Sequence, residues 1–313
     1  MSTIQIVTTV LLSLLLAAFV CYFVLTYICY AVSIRRNGLI GKFINKKFTG
    51  EMGNYGIDRN FWASQKVEKL SIENDNLKLA GFYVENPKEK TNKLAIIIHG
   101  YFSNHLDMTV QAKIFQDLGY NIFCPDLRAH GESKGKTVGM GYFDKKDMIK
   151  WVDFLINKFG KETQIVIFGW SMGGATTCLM GGEKLPENVK CLIADCAYST
   201  AYEEFKHVLK SKKVPVFPLM QMTNLAAKMY GEYYLKEADC LKAVEKSTLP
   251  ILFIHGKDDT FVPACMTDEL YDAKATGDKQ KEIFEGAEHC KSFVTDKDRY
   301  VKILTDWTST YIH

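Results

Sequence analysis

Between Ile4 and Ile34 the chain carries no Asp, Glu, Lys, Arg or His, and no other stretch restricts the fold as strongly. An α-helix rises about 1.5 Å per residue, so roughly 20 apolar residues cross the hydrocarbon core of a bilayer. This run is longer and can span with tilt. A cleaved signal peptide carries positive charge ahead of a shorter apolar core, whereas here the first basic side chain, Arg35, follows the run. The expected arrangement is an uncleaved single-pass membrane anchor over residues 4–34. Arg35, Arg36, Lys42, Lys46 and Lys47 come just after it and no basic residue precedes it. The positive-inside rule then puts the rest of the chain in the cytoplasm. Seven of the nine cysteines lie beyond the run, with no paired short spacing. Reduced, mostly buried thiols explain that better than a disulfide framework.

Residues 35–66 read as a connector in which glycines alternate with aromatics, either resting on the bilayer surface or packed on the domain. From Val67 the rhythm changes. Val67–Ile72 and Leu77–Val84 read as strands joined by the polar turn Glu73-Asn74-Asp75-Asn76. Short continuous apolar runs then recur at 94–98, 121–124, 165–168, 191–194 and 251–254. Such runs suit parallel strands covered on both faces. Stretches of helical period lie between most of them, such as 108–118 and 142–159. The expected fold class is α/β, a doubly wound, mostly parallel sheet, whose ligands sit outside the carboxyl ends of the strands. Residues 197–248 interrupt the alternation with Pro215, Pro218 and many Met and aromatic residues, and are expected to form a helical cap over that end. A composition of 47% apolar and 24% charged residues supplies a full core for one domain, 67–313. A net charge of +3 with scattered basic residues gives no reason to expect a nucleic-acid partner.

Chemistry is concentrated at three strand ends. Gly169-Trp170-Ser171-Met172-Gly173 is a G-x-S-x-G pattern directly after one buried strand and before a helical stretch. In that context the serine sits on a strained strand-to-helix turn, and glycines flank it because side chains there would strike neighbouring backbone. A serine hydroxyl needs a base, and the base an orienting acid. Downstream, His255-Gly256-Lys257-Asp258-Asp259 follows one strand and Gly286-Ala287-Glu288-His289 follows another. Both lie at the same end of the sheet as Ser171. Spacing alone does not choose between Asp258 and Asp259. An oxyanion would be met by two amides, those of Met172 and of Tyr101 in the loop after the strand ending at Ile98. His99 and His255, which precede glycines at strand ends, read as structural histidines.

From Val67 to the C-terminus the chain resembles α/β-hydrolase serine hydrolases, specifically the bacterial esterase-like group with one N-terminal membrane span. The resemblance rests on His99-Gly100, on Asp126-Leu127-Arg128-Ala129-His130-Gly131-Glu132-Ser133, on the Ser171 motif, on His255-Gly256-Lys257-Asp258-Asp259 with Val262-Pro263, and on Gly286-Ala287-Glu288-His289. It implies Asp259 as the acid of a Ser171–Asp259–His289 triad, and Arg128, His130 and Ser133 as a structural loop beside the site. Asp195, after the strand 192–194, stands where some members carry the acid and is the rival. The resemblance also implies hydrolysis of a carboxylic ester or thioester through an acyl-enzyme, with no metal and no organic cofactor. An anchored enzyme with an apolar cap suits a lipid-derived ester such as a monoacylglycerol. Aminopeptidase or acyltransferase chemistry on the same triad, and a non-catalytic membrane-tethered binding module, are the rivals. An aminopeptidase would need cap acids for the substrate amine. Glu203, Glu204, Glu232 and Glu237 are available but read as solvated helix surface.

Overall fold

The computed structural model describes residues 2–36, 38, 58 and 60–313. Most of the 35–66 connector therefore lies outside the described residues. The elements that build the site are, in chain order, α1 (Thr3–Ser33), β1 (Val67–Asn74), β2 (Leu77–Val84), β3 (Lys93–Ile98), α2 (Thr109–Asp117), β4 (Asn121–Pro125), α3 (Asp144–Phe159), β5 (Gln164–Trp170), α4 (Met172–Gly181), β6 (Val189–Asp195), α5 (Ala201–Ser211), α6 (Leu219–Gly231), α7 (Cys240–Lys246), β7 (Ile251–Gly256), α8 (Cys265–Ala273), β8 (Lys279–Phe284) and α9 (Lys297–Tyr311).

The eight strands form one sheet in the order β1-β2-β4-β3-β5-β6-β7-β8. The five apolar runs become the parallel strands β3 to β7, β8 adds a more polar parallel strand at one edge, and β1 and β2 add an antiparallel hairpin at the other. The hairpin turn is tighter than the four polar residues suggest. Glu73 and Asn74 stay in register with Lys78 and Leu77, and only Asp75 and Asn76 turn, at φ 49° and 59°. Two left-handed residues give the twist that matches paired strands, and Asp and Asn tolerate that conformation better than most side chains. Ala95, Ile97, Val166 and Phe168 pack to one side of the sheet, and Ile96, Ile98, Ile165 and Ile167 to the other. That two-sided burial is why these strands read as continuous apolar runs rather than alternating ones.

The insert between β6 and β7 divides into two parts. Helices α5 and α6 close over the carboxyl end of the sheet. Helix α7 instead packs beneath, against α4: Cys240 lies 3.5 Å from the Ala175 carbonyl, and a side chain on Gly182 would strike Ala243. Helices α5 and α6 are thus the covering part of the insert, and α7 belongs to the layer beneath.

Helix α1 has 31 residues and is long and apolar enough to cross a membrane. Ser2 and Gln5 cap its start reciprocally. Residues 3–21 are exposed throughout, but from Tyr22 onward the helix beds against the domain. Tyr30 stacks on Tyr230 of α6 at 4.7 Å, and its hydroxyl lies 3.0 Å from that of Thr137. Just past the helix, Arg36 donates to the carbonyls of Gly131 and Ser133.

Candidate active site

Ser171 sits at φ 57°, ψ −117° between β5 and α4, a conformation that an L-residue holds only when its surroundings enforce it. They do so through close main-chain packing. A Cβ on Gly169 would lie 2.0 Å from the Gly173 carbonyl oxygen, and one on Gly173 would lie 2.1 Å from that of Ile98. The Ser171 amide donates to the Asp195 carbonyl at 2.8 Å, which ties the turn to β6.

The loops after β7 and β8 bring two partners to this serine. His289 Nε2 lies 3.0 Å from Ser171 Oγ, and His289 Nδ1 lies 2.6 Å from Asp259 Oδ2. Asp259 is itself fixed, because Oδ1 accepts the amides of Phe261 (2.9 Å) and Val262 (2.8 Å). Asp258, its neighbour, is exposed. Burial disfavours charge on both Asp259 and His289, but their mutual attraction outweighs it. The Asp259 carboxyl is held well below the usual carboxylate range and the His289 imidazole well above its usual value. Asp195 is buried but accepts instead from the Tyr300 hydroxyl at 2.7 Å. Its pKa is pushed up to about 6 by burial, against the opposing pull of that hydrogen bond.

His99 donates Nδ1–H to the Gly100 carbonyl at 2.7 Å and accepts the Leu127 amide at Nε2, so both its nitrogens are used structurally. His130 accepts the Phe102 amide through Nε2 at 3.0 Å and donates Nδ1–H to the Arg128 carbonyl; burial holds its pKa down, at about 3. Arg128 makes two bonds to the Asp147 carboxylate, at 2.7 and 2.6 Å. Asp126 anchors the same loop by accepting both the amide and the ring of His105 and the Glu132 amide. Burial alone would raise its pKa, but those donors hold it at about 2. This network positions the segment after β3 that crosses Ser171, where a Cβ on Gly100 would stand 3.3 Å from the serine Cβ. Met172 is the first helical residue of α4, so its amide has no intrahelical acceptor. Among the described residues neither that amide nor the Tyr101 amide donates to a protein group.

Ser171 opens into an almost wholly apolar cavity of about 240 Å³ beneath α5 and α6. One of its lining residues corrects the sequence reading. Glu203 pairs with Lys206, Glu237 accepts the Tyr234 amide, and Glu232 is exposed at the end of α6, as solvated acids should be. Glu204, however, is buried in the cavity wall, and neither carboxyl oxygen has a hydrogen-bond partner among the described residues. Burial pushes its pKa up to about 8, although His289 works against the shift. The signal was available: Glu204 falls on the same helical face as Ala201, Phe205 and Val208. Two further neighbours of the site also escaped the sequence reading, the thiols of Cys196 and Cys290, 3.4 Å apart beside His289.

A mostly parallel sheet of this order, with a strained serine at the end of β5 and partners after β7 and β8, defines the α/β-hydrolase class. The alpha/beta hydrolase fold family matches residues 94–214, and the serine aminopeptidase S33 family matches residues 206–294. The uncharacterized protein YqkD of Bacillus subtilis is 34% identical over 230 residues, covering 73% of this chain and 74% of that protein. Caffeoylshikimate esterase of Arabidopsis thaliana is 23% identical, covering 74% of this chain and 84% of the esterase. Among solved structures, the Pyrococcus furiosus esterase Pf2001 superposes with a TM-score of 0.66 at 22% identity, over 81% of this chain and 94% of that one. The chain belongs to the α/β-hydrolase family. Its fold and its relatives make it an esterase-like hydrolase carrying one N-terminal helix fit to cross a membrane.

Proposed function

We propose that the protein is a serine hydrolase that cleaves a carboxylic ester or thioester through an acyl-enzyme on Ser171. The observation that carries this reading is the continuous line Asp259–His289–Ser171, with contacts of 2.6 and 3.0 Å, opening into an apolar cavity. Ser171 Oγ attacks the carbonyl carbon as its proton passes to His289 Nε2. The resulting imidazolium is stabilised by Asp259, and the oxyanion is received by the amides of Met172 and Tyr101. Collapse of the tetrahedral intermediate breaks the bond to the leaving alcohol or thiol, which departs with the proton from His289. Water then gives a proton to His289 and attacks the acyl carbon, releasing the acid and restoring the Ser171 hydroxyl. On this reading residues 4–34 anchor the chain, 67–313 form the catalytic domain with 197–248 as its cap insertion, and the basic residues after the span favour the cytoplasmic side.

The test is labelling of the full-length chain with a fluorophosphonate. The reagent is expected to phosphonylate one residue, mapping by mass to the peptide that contains Ser171. Folded protein that stays unlabelled would overturn the reading and favour the binding module.

Glu204 supports a second reading, an aminopeptidase that binds a substrate ammonium beside the nucleophile. With its pKa at about 8 the carboxyl is largely neutral at pH 7, but an entering ammonium would draw it back to the charged form. Glu204→Gln separates the readings: ester hydrolysis is expected to persist, whereas cleavage of aminoacyl arylamides would fall at least about 100-fold. The same variant has a signature in stability. The folded chain holds a Glu204 proton that the unfolded chain releases near the ordinary glutamate pKa, so folding stability drops as pH climbs from about 4.5 through about 8. Thermal melts should place Glu204→Gln above the wild type at pH 8 and bring the two together near pH 4.5.

A further inference from the structure

We propose that the final turns of α1 form the outer wall of an acyl-chain site, which receives the chain of a long-chain ester directly from the bilayer; this rests on the ester-hydrolase reading above. Residues 3–21 of α1 are exposed, and at about 1.5 Å per residue they measure about 28 Å, close to the thickness of a hydrocarbon core. The segment from Tyr22 to Ser33 thus stands outside that core, and it is the segment that beds on the domain. It does more than hold the domain in place. Ile28, Cys29 and Val32 share the lining of the cavity with Phe205 and Val208 of α5, and with Ser171. In addition, the Tyr101 hydroxyl donates to the Ser33 carbonyl, so the loop of the expected oxyanion amide is tied to the end of the helix.

Three further observations select the occupant. The cavity is smaller than the about 300–1,000 Å³ of ordinary ligand clefts and has room for one slender group. Leu25, Ile28 and Val32 recur at i, i+3 and i+7, an apolar strip that leads from the free part of α1 into the cavity. Leu25 and Ile28 remain 39% and 47% exposed along it. Ile28 lies only about 10 Å along the helix from Cys21. Between α5 and α6, the loop after Lys212 and Lys213 exposes Val214 and Phe217, the latter by 75%. Basic residues beside exposed apolar ones suit a lipid headgroup layer. An acyl chain would follow the strip from bilayer to Ser171 without crossing water.

The test uses the full chain in phosphatidylcholine vesicles, with hydrolysis of p-nitrophenyl acetate and p-nitrophenyl palmitate read as a ratio. A naturally fluorescent polyene fatty acid is also titrated against each variant carrying Ser171→Ala. Val32→Trp, which fills the wall side, is expected to lower the palmitate-to-acetate ratio at least about 30-fold, since each excluded methylene weakens the interaction about fourfold. It should weaken fatty-acid binding as well. Val32→Ala should shift the preference towards bulkier acyl groups. Leu14→Trp, on the free part of the helix, should change neither quantity. A Val32→Trp chain with unaltered ratio and unaltered fatty-acid binding would overturn the proposal. A wild type that cleaves neither ester, yet binds the fatty acid in a Val32-dependent way, would overturn the ester-hydrolase reading and leave the acyl-chain site standing.

Discussion

Ser171→Ala is expected to lower kcat for ester hydrolysis about 10⁶-fold, and His289→Ala by a similar factor, with the double variant scarcely worse than either. The three groups act in one proton transfer, so losing any link forfeits most of what the others provide. The acid adds a sharper comparison. Asp259→Asn keeps the shape of the side chain but removes the charge 2.6 Å from His289 Nδ1. It is expected to cost about 10⁴-fold in kcat, because the imidazole is then held in the wrong tautomer. Asp195→Asn should cost less than about tenfold, since that carboxyl is bonded to Tyr300 and not to the histidine. A larger loss for Asp195→Asn would transfer the acid's role to Asp195. The pH profile supplies an independent readout. His289 must be neutral to accept the serine proton, and Asp259 raises its pKa. Activity should therefore fall on the acid side as His289 gains a proton, and removing the Asp259 charge should move that limb to lower pH.

The largest stability effect should come from the turn rather than the core. Gly173→Ala puts a methyl carbon 2.1 Å from the Ile98 carbonyl oxygen and 2.7 Å from that of His99. Both obstacles are main chain of β3 and its end, in the middle of the sheet, and neither can rotate away. The expected cost exceeds about 4 kcal/mol, enough to leave most of a marginally stable domain unfolded. Expression yield and circular dichroism against the wild type measure it. A Gly173→Ala chain that folds and melts near the wild-type temperature would mean that the turn can open, contrary to the packing described here.

The sheet was legible because its strands are buried on both faces: short apolar runs such as Leu94 to Ile98, bounded by polar loops and separated by stretches of helical period, are what covered parallel strands require. The candidate site was legible because the elbow glycines and the strand-end position of His289 are local patterns, each visible within about ten residues, whereas the choice of Asp259 over Asp258 rested on the family resemblance. What could not be read was long-range. The face shared with Ala201, Phe205 and Val208 pointed to burial of Glu204, but not to the cavity it lines together with residues of α6 and α1. Cys196 and Cys290 are far apart in sequence and meet only because β6 and the loop after β8 end together. The span presented a subtler problem. Its hydropathy is uniform enough to mark a membrane helix, yet Thr26, Tyr30 and Ser33 recur at i, i+4 and i+7 and are the residues it buries. Polar groups on one face near the end of such a helix are a sign of docking, and they mark where its fully exposed part stops.

That docking gives α1 a rotational phase. A residue added within 3–21 lengthens only the exposed part of the helix, because among the described residues nothing in the domain grips that part. A residue added between Tyr22 and Ile28 would turn everything after it by about 100° relative to everything before it. Tyr30 and Val32 could keep their places only if the exposed part of the helix swung around the domain. The first half of the helix is therefore free to drift in length and composition, while the second half has to keep count.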